Sequence, residues 1–237
     1  MLIKTKGIIF KAIKYSESSL ILDIYTEEKG LQKYIISGVR NKRAKVKTGL
    51  LQPATLVDMV AYFRNTKPLN RIKEIKAAHI YQTIPFDLMR GTISLFLVEL
   101  AQKTIKEEEG NSDLFQFLFN QFVELDESKE IGPNFHLHFM LNLSGYLGFY
   151  PGGEWSLETP WFNMRDGNFV REEPLHQYAL NRNLSEKVGS LLKNEPVKIA
   201  RLERRQIIQK MVDFYRIHVE NFGGLNTYSI LKEVLEE

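Results

Sequence analysis

The hydrophobic pattern of this chain changes its period near residue 80, and this change constrains the fold more than any other feature. Before it, apolar and polar residues alternate in short segments, which is typical of half-buried strands. In one segment, Leu20, Leu22 and Ile24 alternate with Asp23 and Tyr25. After it, apolar residues recur at helical spacing. The chain is therefore predicted to belong to the α+β class, with strands first and helices second.

Five strands are predicted before residue 80. Residues 27–30 are predicted to form a short hairpin turn in which Gly30 supplies a positive φ. Five short strands with little room for helices between them favour a small closed barrel over a parallel sheet. The predicted strands span residues 2–15, 19–26, 31–37, 54–63 and 69–77.

The remaining residues, 81–237, are predicted to form a helical domain behind a barrel domain of residues 1–80. Asn111, Ser112 and Asp113 are candidate caps at the start of the second helix. An irregular segment, 148–180, is rich in Gly and Pro and contains one predicted hairpin near Asp166 and Gly167. Helices are predicted over residues 86–108, 114–125, 134–148, 184–194, 201–221 and 228–236.

Charge is divided unevenly between the two parts. Residues 1–78 hold 16 Lys and Arg but 6 Asp and Glu, so the first third is near +10 and the rest near −7. Five cations lie within eight residues that contain no acidic residue: Arg40, Lys42, Arg43, Lys45 and Lys47. Such a block favours a polyanionic partner, although a solvated surface loop is the simpler alternative.

Aromatic residues alternate with these charges, as in grooves that bind nucleic acid. Tyr34 adjoins Lys33, and Tyr62 and Phe63 precede Arg64. Core packing is the alternative for each ring, and strand alternation allows at most one of Tyr62 and Phe63 to face outward. The predicted nucleic-acid-binding residues are Lys33, Tyr34, Arg40, Lys42, Arg43, Lys45, Lys47, Arg64, Lys67 and Arg71.

Other kinds of site find little support. The chain has no Cys and five scattered His, so no disulfide, metal or other cofactor is expected. No catalytic constellation stands out, and we expect a protein that is not an enzyme. No apolar run is long enough for a signal peptide or a membrane span, so a cytoplasmic protein without membrane contact is expected.

Several segments resemble, in order, the RecO family of bacterial recombination mediators. The resemblance covers residues 16–20, 22–23, 25–28, 30, 38, 40, 42–43 and 51–53, and continues weakly at 145–148, 229 and 231. It implies an amino-terminal OB-fold and a helical domain. It also implies binding of single- and double-stranded DNA, strand annealing, and transfer of SSB-coated single strands to RecA together with RecR.

The resemblance further implies that the helical domain binds the acidic carboxyl-terminal tail of SSB. Its candidate residues are His138, Arg201, Arg204 and Arg205, although a solvated helix face is the simpler explanation for the Arg cluster. If His136 and His138 take part, affinity should rise toward pH 6. Many family members hold zinc with two Cys pairs, which residues 149–178 lack, so no zinc is expected here.

Two other functions stay open. One is a protein-interaction adaptor whose helical domain recruits repair partners while the charged barrel assists. The other is an RNA-binding OB-fold protein, which would have to recognise the 2′-hydroxyl.

The basic loop gives a first testable prediction. Changing Arg40, Lys42, Arg43, Lys45 and Lys47 to Ala should weaken DNA binding for all sequences alike. Each lost phosphate contact lowers the dependence of affinity on salt. The slope of log affinity against log salt concentration should therefore fall in magnitude by about 2 to 4. Fluorescence anisotropy over a salt series measures the slope, and an unchanged slope would exclude the loop from the site.

Overall fold

The computed structural model describes residues 1–39, 46–64 and 68–234. The chain divides into two compact units, Met1–Lys129 and Glu130–Glu237. The first unit contains five strands together with the first two α-helices, so these helices belong to the same unit as the strands. That residues 1–80 form a domain by themselves stays a prediction.

The five strands of the first unit close into a barrel with the order β1-β2-β3-β5-β4. All neighbouring pairs are antiparallel except β3 and β5, which are parallel. The predicted barrel is confirmed, and each predicted strand end lies within two residues of the observed one. The strands are β1 (Leu2–Lys14), β2 (Leu20–Thr26), β3 (Gly30–Ile36), β4 (Leu56–Tyr62) and β5 (Asn70–Ala77), with a 3-10 helix at Thr48–Leu51.

The barrel interior is filled by alternate side chains of all five strands, including Ile9, Leu22, Ile24 and Met59. Part of the outer face is also covered. There, Phe10 of β1 stacks on Tyr25 of β2 with the ring centroids 5.6 Å apart, and Phe115 lies 6.1 Å from Tyr25.

The two helices of the first unit are α1 (Leu88–Thr104) and α2 (Ser112–Glu127). The predicted cap is confirmed at Asn111, whose side chain accepts a hydrogen bond from the Leu114 N–H. Because Phe115 lies on α2, this helix covers the apolar outer patch of β1 and β2.

A bulge interrupts the pairing of β5 with β4. Val60 pairs with Glu74, but the next residue, Ala61, pairs with Ile72, so Lys73 is the extra residue. Lys73 and Glu74 are both exposed in consequence, whereas Ile72 and Ile75 on either side are buried. The bulge therefore places one additional cation on the outer face.

The hairpin between β2 and β3 packs directly on the segment that joins α1 to α2. Gly30 has a φ of 58°, as predicted, and a Cβ there would lie 2.6 Å from the Glu107 carbonyl oxygen. From the other side, a Cβ on Gly110 would lie 2.6 Å from the Glu28 carbonyl oxygen. Glycine at both positions lets the two backbones approach, and the Leu31 N–H donates to Glu107 O at 2.8 Å.

Asp126, near the end of α2, is fully buried and binds the connection between β5 and α1. Its carboxylate accepts hydrogen bonds from the backbone N–H groups of Gln82 (2.9 Å), Thr83 (2.8 Å) and Ile84 (3.0 Å), and from His79 Nε2 (3.0 Å). Burial alone would raise the pKa of Asp126, but these four donors hold that pKa well below its usual range.

Arg90, on α1, binds the end of α2 next to Asp126. Its buried guanidinium donates to the carbonyl oxygens of Leu125 (2.8 Å), Asp126 (3.2 Å), Ser128 (2.7 Å) and Lys129 (3.0 Å). These carbonyls lie at the carboxyl end of α2, where a helix leaves carbonyl groups without helical partners. Arg90 therefore caps α2 while it fixes α1 beside it.

Between residues 130 and 234, which the structure describes, the second unit contains four helices and a small sheet of order β7-β6-β8. The predicted hairpin is confirmed, with Gly167 at a φ of 65°. Phe162 and Phe169 pack inside the unit, whereas Tyr150 is 48% exposed. The elements are α3 (Phe135–Tyr146), β6 (Trp161–Asn163), β7 (Asn168–Val170), β8 (Ala179–Leu180), α4 (Arg182–Leu192), α5 (Arg201–His218) and α6 (Thr227–Val234).

Asp126 gives a prediction about stability. Asp126→Asn replaces an acceptor oxygen by a donor that faces N–H groups, so it should lower the free energy of unfolding by about 3 kcal/mol at pH 7. Urea unfolding followed by circular dichroism measures this. Glu127→Gln, one residue away and mostly exposed, is the control and should change stability by less than about 0.5 kcal/mol.

The pH dependence has a definite sign. Because the folded pKa of Asp126 is depressed, its contribution is complete above the unfolded pKa of about 3.9 and is lost as pH falls toward the folded value. The difference between wild type and Asp126→Asn should therefore shrink below about pH 4. A difference that stays constant down to pH 2 would contradict this role of the carboxylate.

Candidate nucleic-acid interface

The outer face of the barrel carries many cations. Ten Lys and Arg side chains among the described residues of the first 78 are exposed. Lys33 pairs with Asp23 at 2.8 Å, Lys73 with Glu74 at 3.4 Å and Lys76 with Asp58 at 3.7 Å. Exposed pairs contribute about 0 to 1 kcal/mol, so they compete weakly with a phosphate. The ten are Lys4, Lys6, Lys11, Lys14, Lys33, Lys47, Arg64, Arg71, Lys73 and Lys76.

A groove of about 660 Å³ lies along β4 and β5. Its lining contains three cations and an aromatic ring but no carboxylate side chain, so its local charge is positive. The lining residues are Tyr62, Arg64, Leu69, Asn70, Arg71, Ile72 and Lys73. Two of the predicted nucleic-acid-binding residues, Arg64 and Arg71, are thus brought together. Lys73 joins them through the bulge, which the strand pattern in the sequence does not reveal.

A larger groove of about 840 Å³ opens between β2, β3 and the segment after α1. Its cations are Lys29, Lys33, Arg64 and Lys106, but its lining also contains the carboxylates of Asp23, Glu28, Glu108 and Glu109. A phosphate chain placed there would meet both signs of charge. The smaller groove therefore suits a nucleic acid better, despite its lower volume.

The prediction that Tyr34 contacts nucleic acid is wrong. Its side chain is fully buried in the barrel core, opposite Leu22 of β2. Burial raises the pKa of Tyr34 to about 12. Neighbouring residues of a strand point to opposite faces, and Lys33 is exposed, so Tyr34 has to face inward. The other candidate, Tyr62, is 50% exposed, whereas Phe63 is buried.

Several predicted residues lie outside the described part of the chain. These are Lys67 and four cations of the basic loop, Arg40, Lys42, Arg43 and Lys45. The fifth cation of the loop, Lys47, is exposed and precedes the 3-10 helix. Contact of the loop with nucleic acid stays a prediction.

In the second unit, the predicted Arg cluster lines a cavity of about 230 Å³ between α5 and α6. Its apolar surface comes from Leu202, Ile208 and the Tyr228 ring, and its cations are Arg201, Arg204, Arg205 and Lys232. A cavity of about 150 Å³ already admits benzene, so this one has room for an aromatic side chain.

Arg204, which lines this cavity, and its sequence neighbour Glu203 are each held by two hydrogen bonds. The Arg204 guanidinium is held by Asn134 Oδ1 at 3.2 Å and Ile199 O at 3.0 Å. The Glu203 carboxylate instead accepts hydrogen bonds from the Ala200 N–H at 2.9 Å and Asn183 Nδ2 at 2.6 Å, and it is not part of the lining. The Glu203 carboxylate is therefore bound to Ala200 and Asn183 and does not line the cavity.

Comparison with known proteins agrees with the fold. A family model described as Recombination protein O N terminal matches residues 1–81, and one described as Recombination protein O C terminal matches residues 85–156. The DNA repair protein RecO of Phocaeicola vulgatus is 34% identical over 239 residues, 99% of each chain. That of Bacteroides fragilis is 33% identical over 242 residues, 100% of each chain.

The chain belongs to the RecO family of DNA repair and recombination proteins. Its barrel is the OB-fold of the RecO amino-terminal domain, so the resemblance inferred from residues 16–53 is confirmed. The first match ends at residue 81 and the second begins at residue 85.

The His residues expected to make a RecO-type peptide site sensitive to pH are not in the cavity between α5 and α6. His138 is half-buried on α3 and is not part of its lining. His136 is buried, and burial, followed by the charges of Arg204 and His138, lowers its pKa to about 3. His136 is therefore neutral at pH 6, and the expectation that it strengthens binding there is wrong.

The described residues contain neither a metal-binding cluster nor a membrane-spanning helix. No group of three or more His, Asp or Glu side chains there is arranged to hold a metal ion. None of the helices described combines the length and apolar character needed to cross a bilayer. The absence of zinc from this RecO-family chain stays a prediction.

Proposed function

We propose that this protein is a cytoplasmic DNA-binding recombination mediator that anneals complementary strands and helps to load RecA on SSB-coated single-stranded DNA. The observation that carries the proposal is the carboxylate-free cationic groove on the barrel of a RecO-family chain. The proposed role is binding and strand handling, without catalysis. Single- and double-stranded DNA are its nucleic-acid partners, and RecR is a protein partner to which no residue is assigned.

The charge of the barrel supports annealing by a simple route. Two single strands repel each other through their phosphates, and cations that neutralise some of them lower this repulsion while releasing counterions. Arg64, Arg71 and Lys73 lie on an outer face, so a strand bound to them can leave its bases open to a second strand. Bound phosphates and accessible bases are what annealing requires.

The cavity between α5 and α6 supports a second contact, with the acidic tail of SSB. An acidic peptide that ends in an aromatic residue needs an apolar pocket beside cations, so that burial and charge-assisted hydrogen bonds act together. Leu202, Ile208 and Tyr228 offer the first, and Arg201, Arg205 and Lys232 offer the second. This cavity also supports the adaptor function as a runner-up, in which partner recruitment matters more than DNA binding.

Annealing gives a direct test. The full-length protein should accelerate annealing of complementary oligonucleotides, with and without SSB. The triple variant Arg64→Ala, Arg71→Ala, Lys73→Ala should anneal at least about tenfold more slowly. Its salt slope for single-stranded DNA should fall by about 2, as expected when three phosphate contacts are lost at about 0.7 each.

A matched control removes the same charge from the second unit: Arg171→Ala, Lys193→Ala, Lys198→Ala, all exposed. It should anneal at the wild-type rate. A wild-type protein that neither binds nor anneals DNA at low salt would overturn the proposal and leave the adaptor function. Equal losses in both triple variants would exclude the groove from the site.

The tail contact is tested by titrating a labelled acidic peptide with a terminal aromatic residue against the full-length protein. Arg201→Ala with Arg205→Ala should weaken binding at least about tenfold, because two charged hydrogen-bond donors are lost. Lys198→Ala is the control. Binding should be equal at pH 7.5 and pH 6, since no His lines the cavity. Binding that rises toward pH 6, or that survives the double change, would place the tail elsewhere.

A further inference from the structure

Tyr62 stands on the outer face of the barrel between two unlike neighbours. Strand pairing places Leu2 of β1 directly opposite it on one side and Arg71 of β5 on the other. Directly opposed side chains have Cβ atoms about 4.5–5.5 Å apart. Leu2 is also exposed, so the phenol ring has an apolar neighbour and a cationic one at the surface.

Exposure alone assigns no function, since single apolar residues are common on protein surfaces. Tyr62 differs because it lines the groove that holds Arg64, Arg71 and Lys73. Its hydroxyl makes no hydrogen bond to any of the residues described, so nothing in that part of the chain requires a tyrosine there for stability. A ring that is half exposed and lies among cations is suited to contact a ligand.

We propose that Tyr62 is a base-stacking platform that makes this groove a binding subsite for single-stranded DNA. The inference rests on the proposed function, because it assigns a strand form to one part of the DNA-binding barrel. In this subsite a base lies against the phenol ring, and the phosphates on either side of it bind Arg64, Arg71 and Lys73.

The chemistry selects single strands. Each base of a duplex is already stacked on both sides and paired, so its face is closed to a ring that projects from a sheet. The bases of a single strand can turn outward and stack on an aromatic side chain. Every base has an aromatic face, so the contact should tolerate any sequence.

The larger groove does not offer such a platform. Its aromatic residue, Phe63, is 7% exposed. The Lys29 ammonium lies 5.5 Å from the centre of the Phe63 ring and so covers the face that a base would need. Tyr62 is therefore the ring in these two grooves that a base can reach.

Stacking and phosphate contacts differ in their response to salt, and this difference provides the test. Removing the ring should weaken binding equally at every salt concentration, because no counterion is involved. Tyr62→Leu should bind an oligothymidylate about 5- to 30-fold more weakly, the lower part of the range for base stacking. Its salt slope and its affinity for duplex DNA should equal those of wild type.

Three controls make the result specific. Tyr62→Phe keeps the ring and should bind like wild type. Tyr150→Leu removes a ring of similar exposure, 48%, from the second unit and should also bind like wild type. With an abasic strand of the same length, wild type and Tyr62→Leu should bind equally, because no base is left to stack.

Two outcomes would overturn the inference while leaving the proposed function intact. One is a Tyr62→Leu protein that binds single-stranded DNA as tightly as wild type. The other is an equal loss for single-stranded, duplex and abasic DNA, or an equal loss in Tyr62→Phe. If the wild-type protein binds no DNA at low salt, the proposed function itself fails.

Discussion

The geometry of the first unit depends on one buried pair of residues that meet at the end of α2. Asp126 gathers the N–H groups of residues 82–84, and Arg90 gathers the last carbonyl groups of α2. One side chain is an acceptor and the other a donor, so together they satisfy both kinds of backbone group at a helix end. A buried charge is costly unless its hydrogen bonds are complete, and here the backbone completes them.

This pair has a consequence for the outer faces of the barrel. Because α1 and α2 are fixed where β5 ends, α2 covers the aromatic patch of Phe10 and Tyr25. At the groove, β4 and β5 instead carry polar and charged side chains outward. One part of the outer face thus packs against α2, whereas the groove exposes Arg64, Arg71 and Lys73 to solvent.

Most of the fold was predictable from the sequence because burial of one face of a strand or helix makes apolar residues recur with a characteristic period. The five strands and the Gly30 turn follow from that period. The same parity argument, applied to Lys33 and Tyr34, would have placed Tyr34 in the core. Alternation alone could not show which of Tyr62 and Phe63 faces outward. An alternating pattern is compatible with either face being buried until one contact identifies the buried face.

What the sequence did not reveal arises where distant segments meet or where the period is broken. Lys232 joins the Arg cluster only because α6 packs beside α5, and no spacing predicts this. The role of Asp126 was not predictable either, since its donors lie more than 40 residues earlier in the chain. His136 appeared available for protonation, but its burial on α3 depends on the packing of the whole unit.

The bulge at Lys73 makes the face on which each side chain of β5 lies independent of the number of residues in the strand. In a regular strand these two properties are linked. On either side of it, Arg71 and Ile72, then Glu74 and Ile75, alternate out and in as a regular strand would without Lys73. A shorter chain lacking that one residue would keep every other side chain of β5 on its present face. The presence or absence of Lys73 can therefore change the positive charge of the groove without any change in the barrel core.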